Sequence, residues 1–268
     1  MPDLIPRIGI TLGDPSGVGP EIVAKALSEA PPAVRRKTVV FGDRGVLARA
    51  GGIPDETILV EVTHLGTADA PVGQPTMAGA MAQVAYLEEA VAWARRREIE
   101  ALVTAPISKS QAHAAGFGFP GHTEFLAARL AAAEVAMMFV GPTLRVVLAT
   151  VHLPLAEVAR QLRAGDVASA IRLGGIALAR DFGLLRPRIG VVALNPHAGE
   201  GGLFGDEERA IVEPGIAEGT RALAAAGIDA LVGGPLVPDA AFRAGVEGRW
   251  DLLVAMYHDQ GLIPVKLV

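Results

Sequence analysis

The chain has 268 residues, 51% of them apolar and 20% charged, with 24 Lys and Arg against 29 Asp and Glu and a formal net charge of −5. That length supports one large or two medium domains with a substantial core, and the acidic balance without a Lys/Arg-rich run gives no footing for general nucleic-acid binding. The absence of cysteine excludes disulfides, thiolate metal sites, iron–sulfur clusters and cysteine nucleophiles, so any metal must sit on His, Asp or Glu.

Residues 1–7 lack the basic flank and long apolar stretch of a secretory signal. The longest apolar runs, 135–140 and 146–151, fall far short of a membrane span. The expectation is a soluble cytoplasmic protein without a membrane partner. In chain order, β-branched runs at 8–12, 38–41, 101–104, 135–140, 145–151, 189–194 and 252–256 predict buried strands of a parallel sheet. Helical patterns lie between them. One spans 21–30 after Pro20, a favoured first helical position. Another spans 76–97, with Met77, Met81, Val84, Leu87, Val91 and Ala94 at helical spacing, and a third spans 166–182, opening on Asp166 as its cap. The alternation predicts an α/β fold of parallel sheets covered by helices. No composition shift or linker marks a domain boundary, and the final segment, 263–268, reads as the entry to a further element.

The first strand runs into Gly13-Asp14-Pro15-Ser16-Gly17-Val18-Gly19-Pro20-Glu21. Glycines there permit a tight turn, and a helix N-terminus favours anions. The motif is neither a P-loop nor a dinucleotide fingerprint, and a plain strand-to-helix turn explains it as well. Of six histidines, His152, His197 and His258 each follow a predicted strand, where open α/β sheets place their ligands. Three imidazoles suit a divalent ion such as zinc with positions left open for substrate oxygens; any one of them alone is more simply a loop histidine bonded to backbone. His64 and His113 lack that context and read as surface or structural. Pro120-Gly121-His122-Thr123-Glu124 opens an apolar helical stretch, 125–130. His122, Thr123 and free N–H groups there form a candidate phosphate seat, with Thr123 as a simple N-cap the competing explanation. Thr104-Ala105-Pro106-Ile107-Ser108-Lys109 adds a hydroxyl and a cation on another strand end, a weak signal alone. Lys266, in an apolar Ile-Pro-Val-Lys-Leu-Val segment, reads as a cation with an anion to meet.

Taken together, GDPSGVGPEI (13–22), TAPISK (104–109), PGHTEFLA (120–127), TVHLPL around His152, NPHAGEGGLFGDEE (195–208), GPLVPD (234–239) and AMYHDQG (255–261) resemble the 4-hydroxythreonine-4-phosphate dehydrogenase family of vitamin B6 biosynthesis. The blocks run in family order along essentially the whole chain. The resemblance implies two α/β/α domains with a cleft between them, similar to isocitrate and isopropylmalate dehydrogenases: residues 1–125 plus 240–268 in the first, 126–239 in the second. It implies a homodimer with a shared active site. His152, His197 and His258 would ligate one divalent metal (Zn, Mg or Co), and His122, Thr123 and Lys266 would bind the phosphorylated substrate. NAD or NADP would be used without the usual glycine fingerprint, so the nicotinamide contacts are not assigned.

The implied reaction oxidises 4-phosphohydroxy-L-threonine at its 3-hydroxyl and then decarboxylates it to 3-amino-2-oxopropyl phosphate. The metal's Lewis acidity would ease hydride departure and the charge that develops on loss of CO2. Asp259, beside His258, is the candidate proton acceptor or orienting partner, with a helix N-cap as the alternative role. Family members continue beyond residue 268 and there carry an Asn and an Arg that also bind substrate, so a shortened chain is expected to lack part of the phosphate site. Segments 202–208 and 261–266 look closer to relatives acting on 4-phospho-D-erythronate or 4-phospho-D-threonate. The intact GHTE motif disfavours a relative acting on aromatic diols, and the three histidines disfavour a phosphate-handling transferase. A non-catalytic dimer that binds metal or phosphate is the remaining alternative.

Overall fold

The computed structural model describes residues 7–268; the reading of residues 1–6 as free of a secretory signal lies outside the described residues. The chain divides into two compact units, Met1–Ala133 and Glu134–Val268.

The first unit is built on four parallel strands, β1 (Ile8–Thr11), β2 (Thr38–Gly42), β3 (Ile58–Glu61) and β4 (Ala101–Thr104), in the order β3-β2-β1-β4. Strand β2 is buried along its whole length. That is what a β-branched run covered on both faces requires. Six helices connect and cover the strands: α1 (Gly19–Glu29), α2 (Pro32–Arg35), α3 (Arg44–Arg49), α4 (Met77–Arg95), α5 (Lys109–Ala114) and α6 (His122–Arg129). Thr76 caps α4 by accepting the Gly79 N–H at 3.0 Å. From α4, Tyr86 is fully buried in the core with Val39, Val40 and Phe41. Its hydroxyl donates to Asp43 Oδ2 at 2.6 Å. Asp43, itself fully buried, also accepts the N–H groups of Thr63 (2.8 Å) and His64 (2.7 Å) and the Thr63 hydroxyl. Burial alone would raise its pKa, but these bonds together hold it below the ordinary carboxylate value.

The second unit is a five-stranded sheet, β5 (Met138–Val140), β6 (Arg145–Leu148), β7 (Arg188–Val192), β8 (Leu231–Leu236) and β9 (Leu252–Ala255), in the order β5-β6-β9-β7-β8. Only β5 is antiparallel. Its helices are α7 (Leu155–Gln161), α8 (Ala164–Arg180), α9 (Glu213–Ala225), α10 (Pro238–Val246) and α11 (His258–Leu267). Every residue of β9 is buried, as a central strand flanked by helices on both faces demands. Each fully buried Leu or Val there contributes roughly 1.5–3 kcal/mol of transfer free energy.

Several expectations change. Residues 240–268, assigned by resemblance to the first domain, belong to the second unit, because β9 pairs with β6 on one side and β7 on the other. Asp166 is not the cap of α8: Arg163 holds that position, and Asp166, three residues on, accepts the Arg163 N–H at 2.8 Å. The final segment continues α11, with Pro264 inside it, and starts no new element. Strands β3 and β8 were not anticipated, and the expected strand 135–140 shortens to β5.

Candidate functional site

Strands β6, β9 and β7 are adjacent and parallel, and His152, His258 and His197 follow their C-terminal ends in turn. Side-chain bonds tie those ends together. The Thr150 hydroxyl donates to the Met256 carbonyl at 2.7 Å. Gln260 accepts the Met256 N–H through Oε1 (2.7 Å) and donates through Nε2 to the Ala193 carbonyl (2.8 Å). Gln260 thus spans from the β9 end to the β7 end. Sequence reasoning missed it, and its place in the Tyr257-His258-Asp259-Gln260-Gly261 block is the only signal that pointed there.

The His152 and His258 rings come together, with centroids 5.6 Å apart. They line a cleft of about 280 Å³ with Val151, Leu155, Tyr257 and Asp259. His258 opens α11 with Tyr257 as its cap residue, so Asp259 is not an N-cap. The Asp259 carboxylate accepts from His258 Nδ1 at 2.7 Å. An ionised carboxylate can only accept, so this contact uses Nδ1 as the donor and leaves Nε2 as the ring nitrogen that a metal would take in the neutral imidazole. A ring centroid lies about 3 Å from an ion held at one of its nitrogens, so a centroid separation of 5.6 Å is compatible in distance with one shared divalent ion.

His197 is not brought to that pair. It sits on the exposed loop after β7, with Phe204 as its ring neighbour at 6.3 Å. Among the described residues, no three His, Asp or Glu side chains converge as a ready metal site. The loop is unusual: His197, Ala198, Gly199, Glu200 and Gly201 all have positive φ, between 43° and 74°. No periodicity or composition argument foresaw this left-handed run. Lys266 lies exposed in the last turn of α11, so the inference from apolar surroundings does not apply to it.

In the first unit, α6 begins at His122 after an extended Gly121, and no side chain caps it. Thr123 therefore lies inside the helix, not at its cap, and the first-turn N–H groups are left for water or a ligand. His122 Nε2 is buried without a hydrogen-bond partner. Burial, and then the nearby Lys109 charge, depress its pKa, which favours the neutral ring. Lys109 Nζ approaches Gly121, standing 4.0 Å from where a Cβ would sit. The loop before Lys109 is fixed by the fully buried Gln83, whose Oε1 accepts the Ser108 N–H at 2.9 Å. His122, Thr123 and Lys109 thus share one region, a grouping the sequence offered only as two separate motifs.

The glycine-rich loop after β1 folds as a strand-to-helix turn. Asp14 Oδ1 accepts the Ser16 N–H and the Asp14 N–H donates to the Pro106 carbonyl, both at 2.9 Å. Gly19 is required there, because a Cβ would lie 2.0 Å from the Leu12 carbonyl oxygen. His64 and His113 are exposed and join no cluster.

The chain resembles known proteins along its length. It is 42% identical to the 4-hydroxythreonine-4-phosphate dehydrogenase of Geobacter metallireducens, covering 100% of this chain and 83% of that protein. It is 40% identical to the D-threonate 4-phosphate dehydrogenase of Cupriavidus necator, covering 100% and 84%. The crystal structure of a 4-hydroxythreonine-4-phosphate dehydrogenase from Burkholderia phymatum superposes with a TM-score of 0.84 at 39% identity, covering 98% of this chain and 83% of that one. The fold is that of this dehydrogenase family, and the chain is an oxidoreductase. Residues 25–268 match the model of the pyridoxal phosphate biosynthetic protein PdxA family, and the chain belongs to that family.

Proposed function

We propose that this protein is an NAD- or NADP-dependent, divalent-metal-dependent 4-hydroxythreonine-4-phosphate dehydrogenase, acting as a cytoplasmic homodimer. Its reaction is oxidation of 4-phosphohydroxy-L-threonine at the 3-hydroxyl, then decarboxylation to 3-amino-2-oxopropyl phosphate. The observation that carries the reading is the placement of His152 and His258 in one cleft at the ends of neighbouring parallel strands, in a chain 42% identical to a dehydrogenase of that name.

His152, His197 and His258 would hold the ion. One chain offers two imidazoles together and a third apart, which favours completion of the ligand set by a second copy. When bound, a divalent ion (Zn, Mg or Co) supplies Lewis acidity for the alcohol and the developing enolate, and the nicotinamide supplies the hydride acceptor. Asp259, bonded to His258 Nδ1, would orient that ring and is the candidate proton acceptor. His122, Thr123 and Lys266 would hold the phosphate, converting binding energy into orientation of the reacting carbon. The neutral His122 favoured by its burial would donate or accept without adding charge.

A second reading, oxidation of 4-phospho-D-threonate or 4-phospho-D-erythronate, is favoured by the 40% identity to the Cupriavidus protein. The phosphate and metal contacts would be the same, and only the groups around the second carbon differ. NADH formation by zinc-loaded protein, with 4-phosphohydroxy-L-threonine and the two sugar-acid phosphates side by side, tests both readings. Preference for the first substrate supports vitamin B6 synthesis. Preference for either other substrate replaces it with sugar-acid breakdown.

A further inference from the structure

Glu208 is a carboxylate only 5% exposed, and among the described residues no cation pairs with it. A buried charge without a counter-charge is costly and persists only where hydrogen bonds compensate it. Here both oxygens are used on a single residue. Oε1 accepts the Asn195 N–H at 2.7 Å and Oε2 accepts from Asn195 Nδ2 at 3.0 Å. The same Nδ2 donates to Glu207 Oε2 at 2.7 Å. That bond comes first among the causes that hold the Glu207 carboxyl below its ordinary pKa.

Asn195 is the residue from which the left-handed run departs. Three of the five positions in that run, His197, Ala198 and Glu200, are not glycine. Each costs roughly 1–2 kcal/mol relative to a right-handed conformation. A conformation so disfavoured persists only where its surroundings over-determine it. The restraint is visible at both ends of the loop. Asn195 is gripped by Glu208 and Glu207, and Gly199 is packed so closely that a Cβ would lie 2.6 Å from Glu208 Oε2. The Phe204 N–H closes the turn on the Gly199 carbonyl at 3.1 Å.

We propose that Glu208 is a positioning residue: by clamping Asn195 it holds the left-handed segment in one conformation and so presents the His197 imidazole to a divalent cation. The proposal rests on the reading of His197 as a metal ligand. His258 is oriented by a carboxylate bonded to its own ring, whereas His197 is oriented through its backbone, by a carboxylate further along the chain.

The test is a zinc-affinity titration of the 268-residue chain by chelator competition, on wild type, His197→Ala, Glu208→Gln, Asn195→Ala and the Asn195→Ala/Glu208→Gln double variant. All are measured at a temperature where near-ultraviolet circular dichroism shows each folded. The Glu208→Gln change keeps the side-chain shape but turns an NH2 group toward Asn195. The expected result is a fall in zinc affinity of about 10–100-fold in Glu208→Gln, the size of effect of losing an orienting partner, with a smaller fall in Asn195→Ala, which keeps the backbone N–H that Glu208 Oε1 accepts. The double variant should lose less than the product of the two single losses, because both changes remove the shared Asn195 Nδ2–Glu208 Oε2 bond. Multiplying losses would show that Glu208 does not act through Asn195. Weaker zinc binding in His197→Ala with wild-type affinity in Glu208→Gln overturns the positioning role and leaves the metal reading standing. Wild-type affinity in His197→Ala overturns both. Should Glu208→Gln not fold, Asn195→Ala carries the test through the Nδ2 bonds, and wild-type zinc affinity in it refutes positioning by the Asn195 side chain.

Discussion

Two turns in the second unit carry histidines at neighbouring strand ends and do so by opposite means. His258 leaves β9 in the ordinary way: the strand ends, Tyr257 stays extended, and the imidazole opens a right-handed helix with Asp259 on its Nδ1. His197 leaves β7 on a left-handed run that is locally unfavourable and depends on two acidic side chains for its shape. One histidine is placed by regular secondary structure and the other by a tertiary clamp. A residue type at a strand end therefore says little about how firmly it is held, and the second kind of placement is the more easily disturbed at a distance.

The comparison breaks first at the rings themselves. Replacing His258 or His197 by Ala should cost zinc retention and metal-dependent NADH formation alike, by several orders of magnitude in turnover, because both are read as ligands. If only His258→Ala loses zinc, the two turns are not parts of one site. Lys266→Ala lies on the same helix as His258 but should leave zinc affinity unchanged. It should raise KM for the phosphorylated substrate about 10–100-fold, in keeping with about 1.5–3 kcal/mol for a charge-assisted bond, while KM for the nicotinamide stays put. An equal loss in both KM values would remove Lys266 from the phosphate site.

Asp259→Asn is the counterpart at His258 of the clamp at His197, and zinc affinity should drop about 10-fold. Unchanged affinity would show that the Asp259–His258 bond is incidental. Gly199→Ala sharpens the contrast from the backbone side. It adds a Cβ against Glu208 at a position with φ +74°, so thermal unfolding should report a loss of about 1–2 kcal/mol. A Gly→Ala change at an ordinary helical site would stabilise instead.

The smallest effect on function is expected at Asp43, in the other unit. Its pKa in the folded protein lies below the ordinary carboxylate value. The unfolded chain therefore takes up the proton first, and the stabilisation from Asp43 is complete above about pH 4 and is lost as pH falls through the folded value. Asp43→Asn should cost stability at neutral pH and flatten the acid limb of the stability curve, with KM values unchanged. An unaltered acid limb in urea titrations would show that the bonds from Tyr86, Thr63 and His64 do not act as described.

Much of the fold was legible in the sequence. Short β-branched runs alternating with helical periodicity announced a parallel α/β fold, and His152, His197 and His258 do follow their strands. What the runs could not reveal was neighbourhood. Residues 252–256 read as a buried strand, but their pairing between β6 and β7 is a property of sheet order, and so residues 240–268 were given to the wrong unit. Strand β8, Leu-Val-Gly-Gly-Pro-Leu, was hidden by glycine and proline, which count against strands locally but are tolerated on an edge. The left-handed loop was invisible because Pro-His-Ala-Gly-Glu-Gly has no strong preference for positive φ at His, Ala or Glu. Glu208, which fixes it, sat in segment 202–208, where likeness to relatives says nothing about which carboxylate turns inward. Lys109 and His122 were noticed separately, and only the folded unit puts the lysine charge within reach of the imidazole.

In the proposed function, imidazoles at the strand ends hold a divalent ion on which dehydrogenation depends. The most direct measurement is NADH formation from 4-phosphohydroxy-L-threonine by protein stripped with a chelator, and then reloaded with zinc, alongside the His258→Ala variant treated the same way. Stripping should abolish turnover, zinc should restore it in wild type, and zinc should restore nothing in the variant. Undiminished turnover by stripped wild-type protein would contradict that dependence.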